Sequence, residues 1–309
     1  MERAQIHIAC NIDENYVKYC IVMITSLLEN NRESEICIHI IAEKLEKESI
    51  ALINSIVVEK YHQNISFHFI SPDMLRECSI NGSNHISMAT YYRVFLETVL
   101  PTSIKKLIYL DCDLIVNGSI LELWETNIEN YAVAAVEDMW SGKKENYIRL
   151  NYNEEYSYFN AGVLLINLDY WRKIRFQEMA LEFIKKYKEK LIFNDQDVLN
   201  GIFHDKKIMV PFKWNMQDGF YRRKKRIKAE SLKRLNENIK LGIIIHYTGS
   251  KKPWQYNSSH PLKSLYFKYI DFTKWKGERP YTPLEYKFKI IADKILYLLH
   301  LKKTKYIRL

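Results

Sequence analysis

The sequence lacks a run of about 18 consecutive apolar residues, the length that a membrane-spanning helix requires. Residues 1–10 lead into a short strand-like segment and show no signal-peptide pattern. The five cysteines are scattered and include no CxxC pair, so their spacing indicates neither a zinc site nor a redox couple. These absences predict a cytosolic protein with reduced, mostly buried thiols.

Two common phosphate-binding motifs are also missing. No GxGxxG follows the first predicted strand, and no GxxxxGK[ST] occurs anywhere in the chain. Neither an internal repeat nor a low-complexity tract is present. A dinucleotide fold or a P-loop is therefore not supported, and any phosphate must be bound by a metal ion or by lysine side chains.

The composition is that of an ordinary globular protein. Of 309 residues, 47% are hydrophobic and 27% are charged, which suits one large α/β domain with an appendage. The net charge of +9 favours an acidic partner, such as a nucleotide, a nucleic acid or an anionic membrane. The excess charge lies in the last third of the chain, in a cluster at residues 222–228 and in the lysines after Pro283.

Short β-rich segments alternate with longer helical patterns, which predicts βαβ units and a mainly parallel sheet. Strands are predicted at 5–10, 36–42, 65–70, 106–110, 131–136, 162–167 and 243–246. Helices are predicted at 17–30, 46–61, 196–203 and from Leu284 onward. The polar, basic stretch 213–240 predicts loops and helix near a second substrate.

Acidic and amide residues lie repeatedly at strand ends. Asp111 and Asp113 follow the strand at 106–110, Asp138 follows the strand at 131–136, and Asn160 comes just before the next strand. In open α/β sheets, ligands bind outside the carboxyl ends of the strands. These residues therefore predict a single site at that edge of the sheet.

Asp111 and Asp113 are spaced so that, on extended backbone, both carboxylates point to the same side and can bind one divalent cation. Such a cation completes its coordination with water and substrate phosphates. An Asp-x-Asp pair alone is common on surfaces, and a single histidine after a strand is usually structural. His246 follows an apolar run, however, and Gly249 and Lys252 come soon after it, so the combination favours a phosphate site. An imidazole ligand favours Mn²⁺ over Mg²⁺.

Six blocks of sequence resemble, in order, the retaining glycosyltransferases of family 8, which include bacterial lipopolysaccharide galactosyl- and glucosyltransferases and the glycogenins. The blocks span residues 6–254 and read IHIACNIDENYVKY, HISMATYYRVFL, YLDCDLIV, YFNAGVLLINLDYW, NDQDVLN and HYTGSKKPW. The resemblance implies an α/β fold of the GT-A type, with a Rossmann-like mixed, mainly parallel sheet flanked by helices. This catalytic domain would occupy residues 1–255, and a small basic helical appendage would occupy residues 256–309.

The resemblance also implies a role for each matching residue. Metal ligands for Mn²⁺, or Mg²⁺, would be Asp111, Asp113 and His246. The nucleotide would be bound by Asn11, Asp13, Asn15, Tyr16, Ile86, Gly249 and Lys252, with Tyr16 stacked on uracil and the last two on the diphosphate. The donor sugar would contact Arg93, Asp111, Asp138, Asn160, Ala161, Gly162, Asp195 and Gln196. Of these, Gln196, Asp195 and Asp138 would be the catalytic residues. Without the resemblance, Asp195 is predicted to be a helix N-cap and Asn160 a turn residue.

The implied reaction moves galactose or glucose from UDP-galactose or UDP-glucose to a saccharide or lipid-linked glycan acceptor, with retention of configuration. Because an amide oxygen such as that of Gln196 is a poor nucleophile, we expect attack from the face on which the leaving group departs. One alternative is a glycogenin-like enzyme that glucosylates its own tyrosine. Another is a basic nucleic-acid-binding protein that uses residues 222–228, which would leave the acidic strand ends without a role, and a third is an inactive scaffold.

The last predicted helix is amphipathic and basic. Its apolar residues recur at helical spacing among lysines, at Leu284, Phe288, Ile291, Ile295, Leu298 and Leu299. Such a helix can lie in the plane of an anionic bilayer or dock on the domain core. The resemblance favours peripheral attachment to the inner face of the cell membrane.

Overall fold

Ten strands form two sheets in the parts of the chain that the structure, a computed structural model, describes, which are residues 5–78 and 87–309. The strands are β1 (Ile6–Asn11), β2 (Ile36–Ala42), β3 (Asn64–Phe69), β4 (Lys106–Leu110), β5 (Leu114–Val116), β6 (Val133–Glu137), β7 (Phe159–Asn167), β8 (Lys207–Met209), β9 (Met216–Gln217) and β10 (Ile244–His246). The helices are α1 (Val17–Glu29), α2 (Lys47–Asn54), α3 (Leu96–Val99), α4 (Leu121–Trp124), α5 (Lys144–Leu150), α6 (Leu168–Ile174), α7 (Phe176–Tyr187), α8 (Asp195–Phe203), α9 (Leu232–Asn238), α10 (Lys263–Ile270) and α11 (Leu284–Leu298).

The larger sheet has seven strands in the order β3-β2-β1-β4-β7-β6-β8. All neighbours pair in parallel except β7, which runs antiparallel to both β4 and β6. Every residue of β2 is buried, as is usual for a strand inside a parallel sheet with both faces covered. The predicted mixed, mainly parallel sheet is confirmed.

The smaller sheet positions part of the site. It has three strands in the order β5-β10-β9, and β5 follows β4 after only Asp111, Cys112 and Asp113. Strand β10 pairs antiparallel with β5, so that His246 lies opposite Leu114. This pairing brings His246 beside Asp113 although the two are 133 residues apart in sequence.

The large sheet separates two hydrophobic cores. Ile8 belongs to a core that includes the buried face of α1, whereas its neighbour Ala9 packs on the other side with residues of α6, α7 and α8. Because side chains alternate between the faces of a strand, consecutive residues of β1 serve different cores. The carboxyl end of β1 is thereby held rigidly between two packed layers.

Some predicted boundaries are wrong. The helix predicted at 46–61 is α-helical only to Asn54, and residues Ser55–Lys60 form a wider π-helical turn. Asn160 does not precede the strand as a turn residue but lies within β7, which begins at Phe159. The register of β6 against β7 shifts between Ala135 and Val136, and this irregularity accommodates Asn160 in the ladder.

The C-terminal region contacts the main domain at two places. Helix α10 packs against α1, and the Tyr269 hydroxyl accepts from Asn30 and donates to Asn117. After α11 the chain returns and Tyr306 pairs with Arg222. The buried Tyr306 hydroxyl donates to Asp218, 2.5 Å away. The division of the chain after residue 255 remains a prediction.

Helix α11 itself has no buried residue. The side chains of its apolar stripe are 51% to 75% exposed, at Leu284, Phe288, Ile291, Ile295, Leu298 and Leu299. The stripe is therefore not docked on the domain core. Among the described residues, no helix is long and apolar enough to cross a membrane.

Three histidines form a row across the edge of the large sheet. His7 Nδ1 lies 3.1 Å from His39 Nε2, and His39 Nδ1 lies 3.1 Å from His68 Nε2, so the rings connect β1, β2 and β3. Burial lowers the pKa of His39 from 6.5 to about 3, with neighbouring His7 and His68 adding to the effect. Burial also lowers the pKa of His7 and of His68.

These shifts predict a loss of stability in acid. The unfolded chain takes up protons near pH 6.5, but the folded His39 does so only near 3. The contribution of His39 to the free energy of unfolding should therefore be fully present above pH 6.5 and should decrease as the pH falls towards about 3. Urea denaturation from about pH 7 to about pH 5 measures this slope. A His39→Gln variant should show a shallower slope and the exposed His300→Gln control an unchanged one; equal slopes in all three proteins would contradict the prediction.

Candidate active site

Asp111, Asp113 and His246 meet at the junction of the two sheets. One ligand atom from each lies within 4.8 Å of the others. His246 Nε2 is 3.0 Å from Asp113 Oδ1 and 3.7 Å from Asp111 Oδ2. The imidazole is buried, and the carboxylates are partly accessible from the cavities above them. The three residues that the sequence assigned to a metal are thus brought together.

A buried amide fixes the orientation of His246. His246 Nδ1 lies 3.0 Å from Asn215 Oδ1, and the Asn215 side-chain nitrogen donates to Asn160 Oδ1 at 2.8 Å. The Asn215 oxygen can only accept, so Nδ1 donates to it and Nε2 is the ring nitrogen that faces the two carboxylates. Nε2 is therefore the atom available to a metal ion, and an acceptor behind the ring is the usual second contact of metal-binding histidines. The residues therefore fit a divalent cation with mixed oxygen and nitrogen ligands.

Asn215→Ala should weaken metal binding without removing a ligand. Loss of such an outer partner typically costs about 10- to 100-fold in metal affinity. The Mn²⁺ concentration that half-saturates the site should rise by that factor, as a titration of the protein with Mn²⁺ measures. Asn238→Ala, which removes an amide near the end of α9, is the matched control. An unchanged Mn²⁺ requirement in Asn215→Ala would show that His246 does not depend on this contact.

Gly162 lies directly beneath the same cluster. A Cβ atom built on it would be 2.1 Å from His246 Cε1 and 2.6 Å from Asp111 Oδ2. The Asp111 backbone N–H also donates to the Gly162 carbonyl at 2.8 Å. Only a residue without a side chain allows β7 to approach the two ligands this closely.

Arg93 links the ligand cluster to α8. Its guanidinium donates to Asp111 Oδ1 at 2.8 Å and to Asp195 Oδ2 at 2.9 Å, and it also contacts the Ala161 carbonyl. The ring of Tyr109 lies 4.2 Å below the guanidinium carbon. Burial raises the pKa of Asp195 to about 6, against the opposing effect of Arg93. Asp195 is the first residue of α8 rather than its N-cap, which is Asn194.

Asp138, Asn160 and Gln196 form a second hydrogen-bonded group. The Asn160 amide donates to Asp138 Oδ2 and to Gln196 Oε1, both at 3.0 Å. The Ala161 N–H also donates to Gln196 Oε1 at 3.0 Å, and the Gln196 amide donates to Asp138 Oδ2 at 3.3 Å. Burial raises the pKa of Asp138, although these donors oppose the shift. The group has polar atoms in fixed directions and is reached from a cavity.

Two adjoining cavities share the acidic cluster. The larger, of about 800 Å³, is lined by Asn11, Asp13, Asn15, Tyr16, Gly249 and Lys252. The smaller, of about 240 Å³, is lined by Asp138, Asn160, Ala161, Gly162, Asp195, Gln196 and His246. Arg93, Asp111 and Asp113 line both. A ligand with one part in each cavity would pass over the two carboxylates.

The larger cavity contains unused hydrogen-bonding groups. Asn11 Oδ1 and Asp13 Oδ1 are buried and have no partner. Buried acceptors without partners are uncommon in folded proteins and indicate a missing donor. On the same wall the rings of Tyr19 and Trp254 stack at 3.8 Å, and Tyr16 meets Tyr19 edge to face. These features suit a planar base that carries N–H donors.

A model of glycosyl transferase family 8 matches residues 7–258. The chain belongs to this family. General stress protein A of Bacillus subtilis is 32% identical over 87% of this chain and 94% of its own length. The lipopolysaccharide 1,2-glucosyltransferase of Escherichia coli is 31% identical over 98% of this chain and 88% of its own. The galactosyltransferase LgtC, crystallised with donor and acceptor sugar analogues, superposes with a TM-score of 0.76 at 25% identity, covering 92% of this chain and all of LgtC.

The fold predicted from the family resemblance is confirmed. An active-site glutamine-to-glutamate variant of LgtC superposes with a TM-score of 0.80 at 25% identity, over 92% of this chain. The protein is thus a glycosyltransferase of family 8 with the GT-A architecture. The roles of its individual residues remain a proposal.

The family 8 site contains residues that sequence reasoning missed. Asn215 lies in the stretch 213–240, which matched no motif block, and a buried polar residue between apolar neighbours was its only signal. Thr90, whose hydroxyl contacts Asp195, falls inside a recognised block but received no role. Ile86, predicted to contact the nucleotide, lies outside the described residues.

Lys252 and Asp113 form an ion pair at the base of this transferase site. Lys252 Nζ lies 2.5 Å from Asp113 Oδ2 and donates to the Tyr247 carbonyl at 2.8 Å. Burial opposes ionisation of Asp113, but Lys252 and His246 outweigh it and hold the pKa of the carboxyl well below its usual range. Asp113 is therefore an anion at every physiological pH, as a metal ligand must be.

Proposed function

We propose that the protein transfers galactose or glucose from a UDP-sugar to a saccharide acceptor and retains the anomeric configuration of the donor. The arrangement of two adjoining cavities around one carboxylate and imidazole cluster supports this most strongly. Uridine suits the larger cavity, because its N–H and hydroxyl groups can satisfy Asn11 and Asp13. The hexose suits the smaller cavity, and the diphosphate would lie between them.

A divalent cation, Mn²⁺ or Mg²⁺, would be held by Asp111, Asp113 and His246 and would act as a Lewis acid on the diphosphate. Lys252 supplies a further positive charge at the same place and can bind a phosphate oxygen. Gly249 keeps the neighbouring backbone open, with the Asp218 carboxylate 3.1 Å below the position of a Cβ atom. These groups together stabilise the charge that develops on UDP as it leaves.

The hydrogen bonds of Gln196 make its side-chain oxygen a poor nucleophile. Its Oε1 already accepts hydrogen bonds from Asn160 and from the Ala161 N–H, which reduces the electron density available on an oxygen that is a weak nucleophile to begin with. We therefore infer same-face attack, in which the acceptor hydroxyl gives its proton to the departing phosphate oxygen. The Gln196 amide dipole stabilises the oxocarbenium-like centre from the opposite side. LgtC also has an active-site glutamine, which supports this assignment.

The hydroxyl groups of the sugar would be recognised by Asp138, Asp195 and Arg93. The two carboxyl groups are buried, and Arg93 is held by two carboxylates and a carbonyl oxygen. A buried polar group discriminates strongly against a substrate that leaves it without a partner. The choice between galactose and glucose would be made here, because these sugars differ in one hydroxyl.

A panel of nucleotide sugars with Mn²⁺ tests the proposed function. UDP release should occur with UDP-galactose or UDP-glucose and not with the corresponding GDP-sugars. With an acceptor present, NMR of the product should show the α configuration of the donor. Donor analogues that slow turnover should give no covalent adduct on Gln196 or Asp195, and a trapped adduct would overturn same-face attack. Mass spectrometry after incubation with donor alone would reveal glucosylated tyrosine if the enzyme modifies itself.

The acceptor is proposed to be a cell-surface glycan. Relatives over nearly the whole chain include lipopolysaccharide glucosyltransferases of Escherichia coli. Such acceptors are lipid-linked, and the exposed stripe of α11 provides an apolar surface with lysines around it. We propose that α11 attaches the protein peripherally to the anionic inner face of the membrane.

Replacement of Phe288, Ile291 and Ile295 by serine should prevent this attachment. The triple variant removes apolar area that would enter the bilayer but no contact to the core, since α11 has no buried residue. Co-sedimentation with phosphatidylglycerol vesicles should fall at least about tenfold, while UDP release from the donor alone is unchanged.

The control replaces three exposed apolar residues elsewhere by serine, at Ile148, Ile192 and Leu241. Retained sedimentation of the α11 variant would refute attachment through this helix. Truncation after Tyr281 is a poorer test, because it also removes Tyr306, which contacts Asp218 beside the site.

A further inference from the structure

A second group of potential metal ligands lies on β1 and β2, away from the donor site. His7 is directly opposite Cys37 in the parallel register, and His39 follows Cys37 on the same face of β2. One ligand atom from each of the three residues lies within 4.8 Å of the others. Cys37 and His39 are buried, and His7 is half-buried, so the group is reached from the side of His7.

His39 lies between His7 and His68 and contacts each of them through one ring nitrogen. In a neutral imidazole one ring nitrogen donates and the other accepts. His39 Nδ1 lies 3.1 Å from His68 Nε2, so His39 can donate from Nδ1 to His68 and keep a lone pair on Nε2. The lone pair of His39 Nε2 is consequently directed at His7 Nδ1, 3.1 Å away.

This arrangement matches the surroundings of a metal-binding imidazole. Such a ring usually donates its second N–H to an acceptor behind it, and His68 is that acceptor for His39. Two Zn–N bonds of about 2.0–2.1 Å at a tetrahedral angle place their nitrogens about 3.3 Å apart. The observed separation of 3.1 Å needs an adjustment of only a few tenths of an ångström.

We propose that His7, Cys37 and His39 bind one Zn²⁺ ion, with the fourth position open to water. Two nitrogens and a sulfur favour zinc, whereas Mg²⁺ and Ca²⁺ prefer oxygen. On binding, the Cys37 thiol loses its proton to solvent and the thiolate coordinates the ion. The ion connects β1 to β2 at the edge where their pairing begins. Asn11 of the nucleotide cavity lies four residues further along β1, about 13 Å away at about 3.3 Å per residue, so the two metal sites are distinct.

Cobalt substitution tests the proposal on the full-length protein under reducing conditions. One equivalent of Co²⁺ should give the strong visible absorption of tetrahedral cobalt together with a thiolate-to-cobalt charge-transfer band, and Zn²⁺ should abolish both. Cys37→Ser, a nearly isosteric change, should remove the charge-transfer band. Cys20→Ser and Asp113→Ala should retain it, because Cys20 belongs to a separate thiol group with Cys10 and Cys112, and Asp113 to the donor site.

Two further measurements test the proposed zinc site. His68→Phe should lower the affinity for Zn²⁺ by about 10- to 100-fold, as loss of an outer partner does, with circular dichroism confirming that the fold is kept. A saturating addition of Zn²⁺ should raise the melting temperature of Asp113→Ala, which lacks one ligand of the donor-site cluster, and not that of the double variant Asp113→Ala, Cys37→Ser. Absence of the charge-transfer band from the native protein, or its persistence in Cys37→Ser, would overturn the proposal whatever the outcome of the donor assays.

Discussion

Asp113→Ala is expected to lower the rate of UDP release from the sugar donor by about 100- to 1,000-fold, the range measured when one group that stabilises developing charge is removed. The carboxylate contacts His246 at 3.0 Å and Lys252 on its other oxygen, so it touches both a proposed metal ligand and the lysine proposed to bind the diphosphate. Its removal leaves His246 and Asp111 as the only ligands from this cluster. Turnover measured by coupled UDP detection at several Mn²⁺ concentrations gives the loss.

The Asp113→Asn variant tests the effect of the side-chain charge while the shape of the side chain is kept. The amide keeps the volume of the side chain and can still accept from Lys252, but it is a weaker ligand for a cation. We expect a large loss here as well, partly recovered at high Mn²⁺. Asp205→Ala, at an exposed carboxylate just after the C-terminus of α8, should leave turnover unchanged. Near-native activity of Asp113→Ala at low Mn²⁺ would refute the assignment of Asp113 to the metal.

Gly162→Ala should inactivate the enzyme by a different route. The added methyl group would lie 2.1 Å from His246 Cε1 and 2.6 Å from Asp111 Oδ2, so one or both side chains must move by more than an ångström. Misplacement of a catalytic group by about 1 Å can cost about a hundredfold in rate. The same overpacking should reduce the free energy of unfolding by about 1–3 kcal/mol. Steady-state kinetics and urea denaturation measure the two effects.

Gly118→Ala is the matched control for this change. The atoms nearest to its Cβ would be those of the Ile243 side chain, at 3.3 to 3.9 Å, and its φ lies outside the left-handed region. Turnover of the control should be close to native. If Gly162→Ala binds Mn²⁺ and turns over normally, the close approach of β7 to the ligands is not a requirement of the site.

The cluster of two carboxylates and one imidazole could be predicted from sequence because its signals are local. Asp111 and Asp113 end an apolar strand, and His246 ends another with Gly249 and Lys252 close behind. Each motif shows its residue types and their spacing without knowledge of the fold. The family resemblance then supplied the association between them, which the antiparallel pairing of β5 with β10 provides physically.

The remaining features depend on pairings that the sequence does not express. Asn215 matters because β9 lies beside β10, and a two-residue strand has no periodicity to detect. His7, Cys37 and His39 come together only through the register of β1 against β2, and a shift of one residue would separate them. Asn160 was predicted to precede its strand, because the register shift in β6 that accommodates it has no local signal.

The return of the chain after α11 has a consequence for substrate length. The tail residues Lys305 and Ile307 pair with Arg223 and Tyr221, and Tyr306 contacts Asp218, which lies beside Gly249. These contacts hold the end of α11 against the domain, so the attachment proposed for this helix would keep the active site at a set height above the lipid. A set height would favour glycan acceptors of one length, whose terminal hydroxyl lies at that distance from the membrane surface.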